Sequence, residues 1–169
     1  MTKRLEEIQE YVNQLTSSTP SLNQHGQLMD KHHSFGVSSC CTLLALRRGL
    51  NPELAAISGL MHDIYRYKTG ISENHAHKGA AMARDILQQA ENLFTEEETE
   101  IILSAIYHHG DKLDVHGEYD EVLKDADTLS PVLYSGGIQD IYPVLVQHGR
   151  RERLEKMAEE LNLSIFNMC

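Results

Sequence analysis

The stretch Met61-His62-Asp63-Ile64 constrains this chain more than any other. An adjacent His-Asp pair offers an imidazole nitrogen and a carboxylate to one divalent cation from a single backbone turn. The side chains that could complete such a coordination shell are spread along the chain: His33 upstream, then His75 and His77, His108 and His109, and Asp127 downstream. Nitrogen and oxygen donors of this kind, with no thiolate cluster beside them, suit Fe, Mn, Ni, Zn, Co or Mg. A fold that uses them together must bring several distant segments to one cavity.

The apolar pattern is helical wherever it is regular. Leu5, Ile8, Val12 and Leu15 predict an amphipathic helix over residues 3–15, closed by the polar, turn-forming run Thr16-Ser17-Ser18-Thr19-Pro20-Ser21. Residues 1–24 are therefore expected to form an N-terminal helix and linker that pack on the core or on a partner subunit, and a homodimer stays open. Residues 25–169 are expected to form one domain with a C-terminal helical extension.

A second helix, from about Met29 to Arg48, ends at Gly49 in a C-terminal cap position and carries His33, Val37, Cys41 and Leu44 on one stripe. His33 so placed could equally be a core histidine bonded to a neighbour; His32 points elsewhere. Asn51 and Pro52 have the chemistry of an N-cap and first helical residue, which puts His62 and Asp63 at the C-terminal end of the helix that follows. Tyr65 to Asn74 reads as a loop leaving the site, and His75 to Gln89 as the next helix. His77 lies about 200° round that helix from His75, so the two cannot comfortably serve the same ion.

Thr95-Glu96-Glu97-Glu98 is a capping box, and the helix behind it carries His109 inward on the stripe of Ile102, Ala105 and Ile106. Asp127 falls near the end of a helix from Glu118 to Leu129, and Asp125 reads as solvated. Beyond Pro131 come helical segments broken by Gly136-Gly137, then an amphipathic helix from Leu154 to Ile165 with Met157, Leu161 and Ile165 inward. With no β-alternation of useful length, the expected class is all-α, a single-domain helical bundle.

Composition narrows the function. A chain of 169 residues, 41% of them apolar, can bury a real core in one domain. Its net charge of −10 argues against a nucleic-acid binder, which needs clustered Lys and Arg to displace counterions. No apolar run long enough to span a bilayer and no secretory signal are visible, so no membrane is implicated and the expected location is cytoplasmic. Cys40 and Cys41 are adjacent and Cys169 is the odd one out, a poor disulfide framework that fits a reducing compartment; Cys40 and Cys41 read as buried helix residues.

The order of these motifs resembles the HD-domain phosphohydrolases. His33-Ser34-Phe35-Gly36-Val37 and Leu60-Met61-His62-Asp63-Ile64 look like the opening half of that superfamily. His75-Ala76-His77-Lys78-Gly79-Ala80 resembles its His-x-x-x-Gly-Ala, Ala105-Ile106-Tyr107-His108-His109 its Ala-Ile-x-x-His, and Ala126-Asp127 its closing Ala-Asp. The resemblance runs from about His33 to Leu129 and implies a metal-dependent phosphohydrolase acting through a metal-activated water. By that resemblance His33, His62, Asp63 and Asp127 hold one divalent ion. His75 and His109 add a second if Asp63 bridges, and Asp63 also positions the attacking water. Some binuclear relatives use both members of a His-His pair, which would add His108 to the ligands; the alternative in this chain is that His108 lines the loop without binding metal. The small binuclear members are closest in size and His order.

Substrate cues are weaker. Arg66 falls where binuclear phosphodiesterase-like members often carry Lys in His-Asp-Ile-Gly-Lys, and a guanidinium there could hold a phosphate oxygen bidentately. The Gly-Tyr-Pro signature of cyclic-di-GMP phosphodiesterases is missing after His109. Tyr65 replaces a usual Gly, and the Tyr-Ala-Lys of the dinucleoside-polyphosphate hydrolases is only loosely matched by Ile64-Tyr65-Arg66. The expected partner is a small phosphorylated molecule of nucleotide type. A rival class, a catalytically silent, metal-stabilised ligand sensor or interaction module, draws on the same residues. An iron oxygenase of the helical-bundle carboxylate type ranks last, because the paired Glu-x-x-His motifs are absent.

Overall fold

Helix starts occur where the sequence supplies a cap. The Asn51 side chain accepts from the Glu53 N–H ahead of Pro52, and Thr95 and Glu98 close a reciprocal capping box. The computed structural model describes residues 2–18, 24–90, 93–134 and 149–164. Every regular element among the described residues is an α-helix: α1 (Lys3–Ser17), α2 (Gln24–Arg48), α3 (Pro52–Met61), α4 (Ile64–Thr69), α5 (His75–Gln89), α6 (Glu96–His108), α7 (Glu118–Tyr134) and α8 (Arg150–Leu161). The all-α expectation holds.

Two apolar clusters carry the bundle. Val37 and Leu44 of α2 meet Leu123 and Leu129 of α7 and Leu154 and Met157 of α8. Ile8 and Val12 of α1, Ile57 and Leu60 of α3, and Ile102 and Ile106 of α6 form the other. The N-terminal helix therefore packs on the core through its predicted inward stripe. Helices α2 and α3 touch most intimately, with Ser34 and Ser38 hydroxyls donating to the Leu60 and Ala56 carbonyls at 3.2 and 2.9 Å. At their crossing a Cβ on Gly59 would lie 2.8 Å from the Ser38 Cα and 3.0 Å from the Cys41 sulfur, so only glycine permits the approach.

Substituting Gly59→Ala should therefore push α3 off α2. Overpacking of this kind costs about 1–3 kcal/mol, which for a chain of this size lowers the melting temperature by about 2–12 °C. Thermal unfolding would show it; a melting temperature equal to wild type would mean the crossing is slack.

Several sequence expectations are corrected. Tyr65 to Asn74 is not all loop: Ile64–Thr69 forms α4, stopped by Gly70 in the left-handed region at φ 72°. The turn is allowed because a glycine without Cβ adopts that conformation freely. Helix α2 begins at Gln24, five residues before Met29, and α7 runs through Pro131 to Tyr134. Pro131 lies in the last turn of α7, where its ring removes the N–H that would have reached the Asp127 carbonyl without ending the helix. Asp125 is not solvated; it is buried and paired with Arg48 and Arg153 at 2.7 and 2.9 Å. The C-terminal helix is Arg150–Leu161, with Leu154 and Met157 buried. Thr19-Pro20-Ser21, Gly136-Gly137, Ile165 and Cys169 lie outside the described residues.

Cys40 and Cys41 are buried free thiols, as expected. Burial pushes the Cys40 thiol up to about 11, so it stays protonated at neutral pH and is no nucleophile.

Candidate metal centre

Helix ends build this site. The last carbonyls of an α-helix have no intrahelical donor, and two histidines exploit that. His62, capping α3, places its Nδ1 2.7 Å from the Gly59 carbonyl, and His109, capping α6, places its Nδ1 2.7 Å from the Ile106 carbonyl. His75, the first residue of α5, puts Nδ1 2.7 Å from the Ser72 carbonyl. A carbonyl can only accept, so each ring donates from Nδ1 and turns its Nε2 toward the cavity. That is the orientation a metal ligand needs, with a backbone partner holding the ring in place.

The Nε2 atoms and two carboxylates fall into two groups. His33 Nε2 lies 3.1 Å from His62 Nε2, 3.3 Å from Asp127 Oδ1 and 3.8 Å from Asp63 Oδ2. His62 Nε2 lies 3.5 Å from that Asp63 oxygen and 3.8 Å from Asp127 Oδ1. The second group has His75 Nε2 3.1 Å from His109 Nε2, with Asp63 Oδ1 3.2 Å from the former and 3.6 Å from the latter. Ligand atoms held about 2.1 Å from one ion lie roughly 3.0–3.4 Å apart, so each group is close to the dimensions of a single coordination shell. Asp63 serves both, one oxygen to each.

Charge and burial favour that use. His62 and Asp63 are buried, and burial pushes the His62 imidazolium down to about 3, leaving the ring neutral. Burial alone would raise the Asp63 carboxyl, yet the nitrogens of His62, His109, His75 and the Arg66 guanidinium gathered around it hold it well below the usual carboxylate range. Asp127 behaves alike, with burial opposed chiefly by Lys112 and His33. Both acids are therefore ionised and ready to bind a cation. Four histidines and two carboxylates, with no thiolate among them, fit Fe, Mn, Ni, Zn, Co or Mg.

The cavity in front of these donors holds about 500 Å³, within the range of small-molecule sites. Arg66 lines it, its guanidinium 2.6 Å from Asp63 Oδ2 and 3.5 Å from Asp30 Oδ1. This arginine is thus no solvated loop residue. Six of the seven predicted ligands converge here; the structure does not bring in His108. Its Nδ1 faces Asp120 at 3.3 Å and its ring stacks on His116 with centroids 4.0 Å apart, because adjacent residues of a helix point about 100° apart and His109 takes the inward direction. His77 is exposed and stacks on Tyr107, away from the donors, as its helical angle predicted.

Sequence reasoning missed three residues at the site: Asp30, Lys112 and Arg150. Lys112 is buried and donates to Asp127 Oδ2 at 2.7 Å and to the Lys124 carbonyl at 3.3 Å. A lysine three places after a candidate ligand is a signal only in hindsight, and Arg150 had none.

An all-helical bundle that gathers four histidines and two carboxylates at one cavity is the class that fold and site define. A family model described as HD domain matches residues 31–132, more than half of the chain. The chain belongs to the HD-domain family. Its fold is also similar to the crystal structure of a predicted HD superfamily hydrolase from an uncultured Thermotogales bacterium, with a TM-score of 0.62 and 22% identity over 94% of this chain and 90% of that one. None of the curated proteins matches it.

Proposed function

We propose that this protein is a metal-dependent phosphohydrolase that cleaves a phosphate ester or anhydride in a small, nucleotide-like molecule. The observation that carries this reading is the division of Asp63: its Oδ1 faces His75 and His109 while its Oδ2 faces His33 and His62. A carboxylate placed in this way suits a bridge between two cations, and the remaining histidines and Asp127 complete the two shells. Two divalent ions bound there would polarise a phosphoryl oxygen and lower the pKa of the attacking water.

The chain's own groups do the rest. The Nδ1 contacts to Gly59, Ser72 and Ile106 keep three imidazoles aimed without further reorganisation. Asp63, between the two donor groups, orients the water from the cavity floor. Arg66, at the wall, takes a non-bridging phosphoryl oxygen once cations have taken over its partner Asp63. The cavity's volume of about 500 Å³ has room for a substrate of nucleotide size, and the net charge of −10 leaves recognition of the anion to these local cations.

A panel of mono-, cyclic and dinucleotides assayed with Mn, Fe, Co, Ni and Mg tests the proposal. Metal-dependent release of a phosphate or nucleotide product is the expected result. Nucleotide binding without turnover under any metal would overturn it in favour of a ligand sensor, and product formation that requires O₂ would overturn it in favour of an oxygenase.

A further inference from the structure

Helix α8 lies beyond the stretch that matches the HD-domain family, yet its first residue, Arg150, lines the cavity in front of the donor groups. Its guanidinium reaches only to 3.4 Å from Asp127 Oδ2, an oxygen that the buried Lys112 already holds at 2.7 Å. Lys112 is enclosed, with 1% of its side chain exposed, and suffices to orient Asp127; Arg150 is 25% exposed and faces the open space. Among the described residues Asp127 is its one ion-pair partner, which leaves most of its five N–H donors unused.

The position is also built. Gly149 turns the chain at φ 72°, and a Cβ there would sit 3.0 Å from Leu113 and 3.4 Å from the Lys112 carbonyl, so the start of α8 is pressed against the segment that carries Lys112. Arg153 then pins the helix, donating to the Lys112 carbonyl and to Glu121 and Asp125, each at 2.9 Å. Arg150 meanwhile stands at the positive end of the helix dipole, where a cation is disfavoured and an anion is attracted. A rigid support, an underused guanidinium and a locally electropositive helix start together ask for an anion on the cavity side.

We infer that Arg150 is an anion-binding residue of the substrate site, which grips a second phosphoryl group of the substrate while the first sits on the metal pair and Arg66. This rests on the phosphohydrolase reading and narrows it to substrates that carry two neighbouring phosphoryl groups.

Methylenediphosphonate, a diphosphate analogue whose P–C–P bridge cannot be hydrolysed, and orthophosphate are the probes, titrated into Mn-loaded protein by calorimetry with metal content checked afterwards. Wild type should bind the diphosphonate about tenfold to a hundredfold more tightly than orthophosphate, the range for a charge-assisted contact. Arg150→Ala and Arg150→Gln should lose that preference while keeping metal content and orthophosphate affinity. Either variant retaining the wild-type preference, or losing metal and orthophosphate in step with the diphosphonate, would overturn the inference, the latter by showing a positioning role for Asp127 alone. Equal binding of both probes by wild type overturns it too and leaves the phosphohydrolase reading intact. If metal-loaded wild type binds neither probe, both readings fall.

Discussion

Asp63→Ala protein is expected to purify with neither ion, where wild type holds up to two under metal-replete conditions. The bridging carboxylate supplies a donor to each group and offsets the repulsion between two dications a few ångströms apart. Without it each shell loses a ligand while the mutual repulsion remains. Metal polarisation supplies several kcal/mol of transition-state stabilisation, and at about 1.36 kcal/mol per tenfold the rate should fall by about 10³-fold or more. His75→Ala and His109→Ala should each leave about one ion, while His33→Ala should disturb the other. Elemental analysis of the purified variants reads all of these. A single ion in wild type, with His75→Ala indistinguishable from it, would reduce the centre to the four-ligand set His33, His62, Asp63 and Asp127.

The second large effect concerns the protein without metal. Lys112 is enclosed in the bundle, and Asp127 Oδ2, 2.7 Å away, is its nearest counter-charge. Asp127→Asn keeps the shape but leaves that ammonium buried and unpaired, a loss of about 3–5 kcal/mol. In chelator-treated protein this should lower the melting temperature by about 6–20 °C. Adding Lys112→Met removes the stranded charge, so the double variant should recover most of the loss even though it cannot rebuild the donor group. A melting temperature for Asp127→Asn within about 1 °C of wild type would show that water or the Lys124 carbonyl, 3.3 Å away, satisfies Lys112, and no recovery in the double variant would show that the loss does not come from a stranded charge.

Chemistry that is local in sequence was legible before any coordinates. Caps at Asn51 and at Thr95 with Glu98 mark helix starts because the bond they make spans only two or three residues. His62 and Asp63 are neighbours, so their shared direction needs no fold to establish it. The inward stripe carrying Ile102, Ala105 and Ile106 carried His109 with it, since helical periodicity alone sets that angle. His33, His75 and Asp127 came from motif order, which names the participants without saying how far apart they end.

What one turn of chain cannot encode had to wait for the tertiary structure. The sequence left His108 open, and its ring turns to Asp120 and His116, partners that only the fold brings beside it. Asp125 looks like any surface acid until Arg48 and Arg153, 77 and 28 residues away, close on it. Arg150 lies 23 residues from Asp127 with nothing local to tie them. The sequence by itself determined the helical class, the metal-type donors and the helix ends on which His62 and His109 sit. Only the assembled bundle decided that Asp63 faces two donor groups, and that Lys112 and Arg150 stand behind Asp127. Electrostatic partners are chosen by distance in space, and that distance exists only once α2, α3, α7 and α8 have packed.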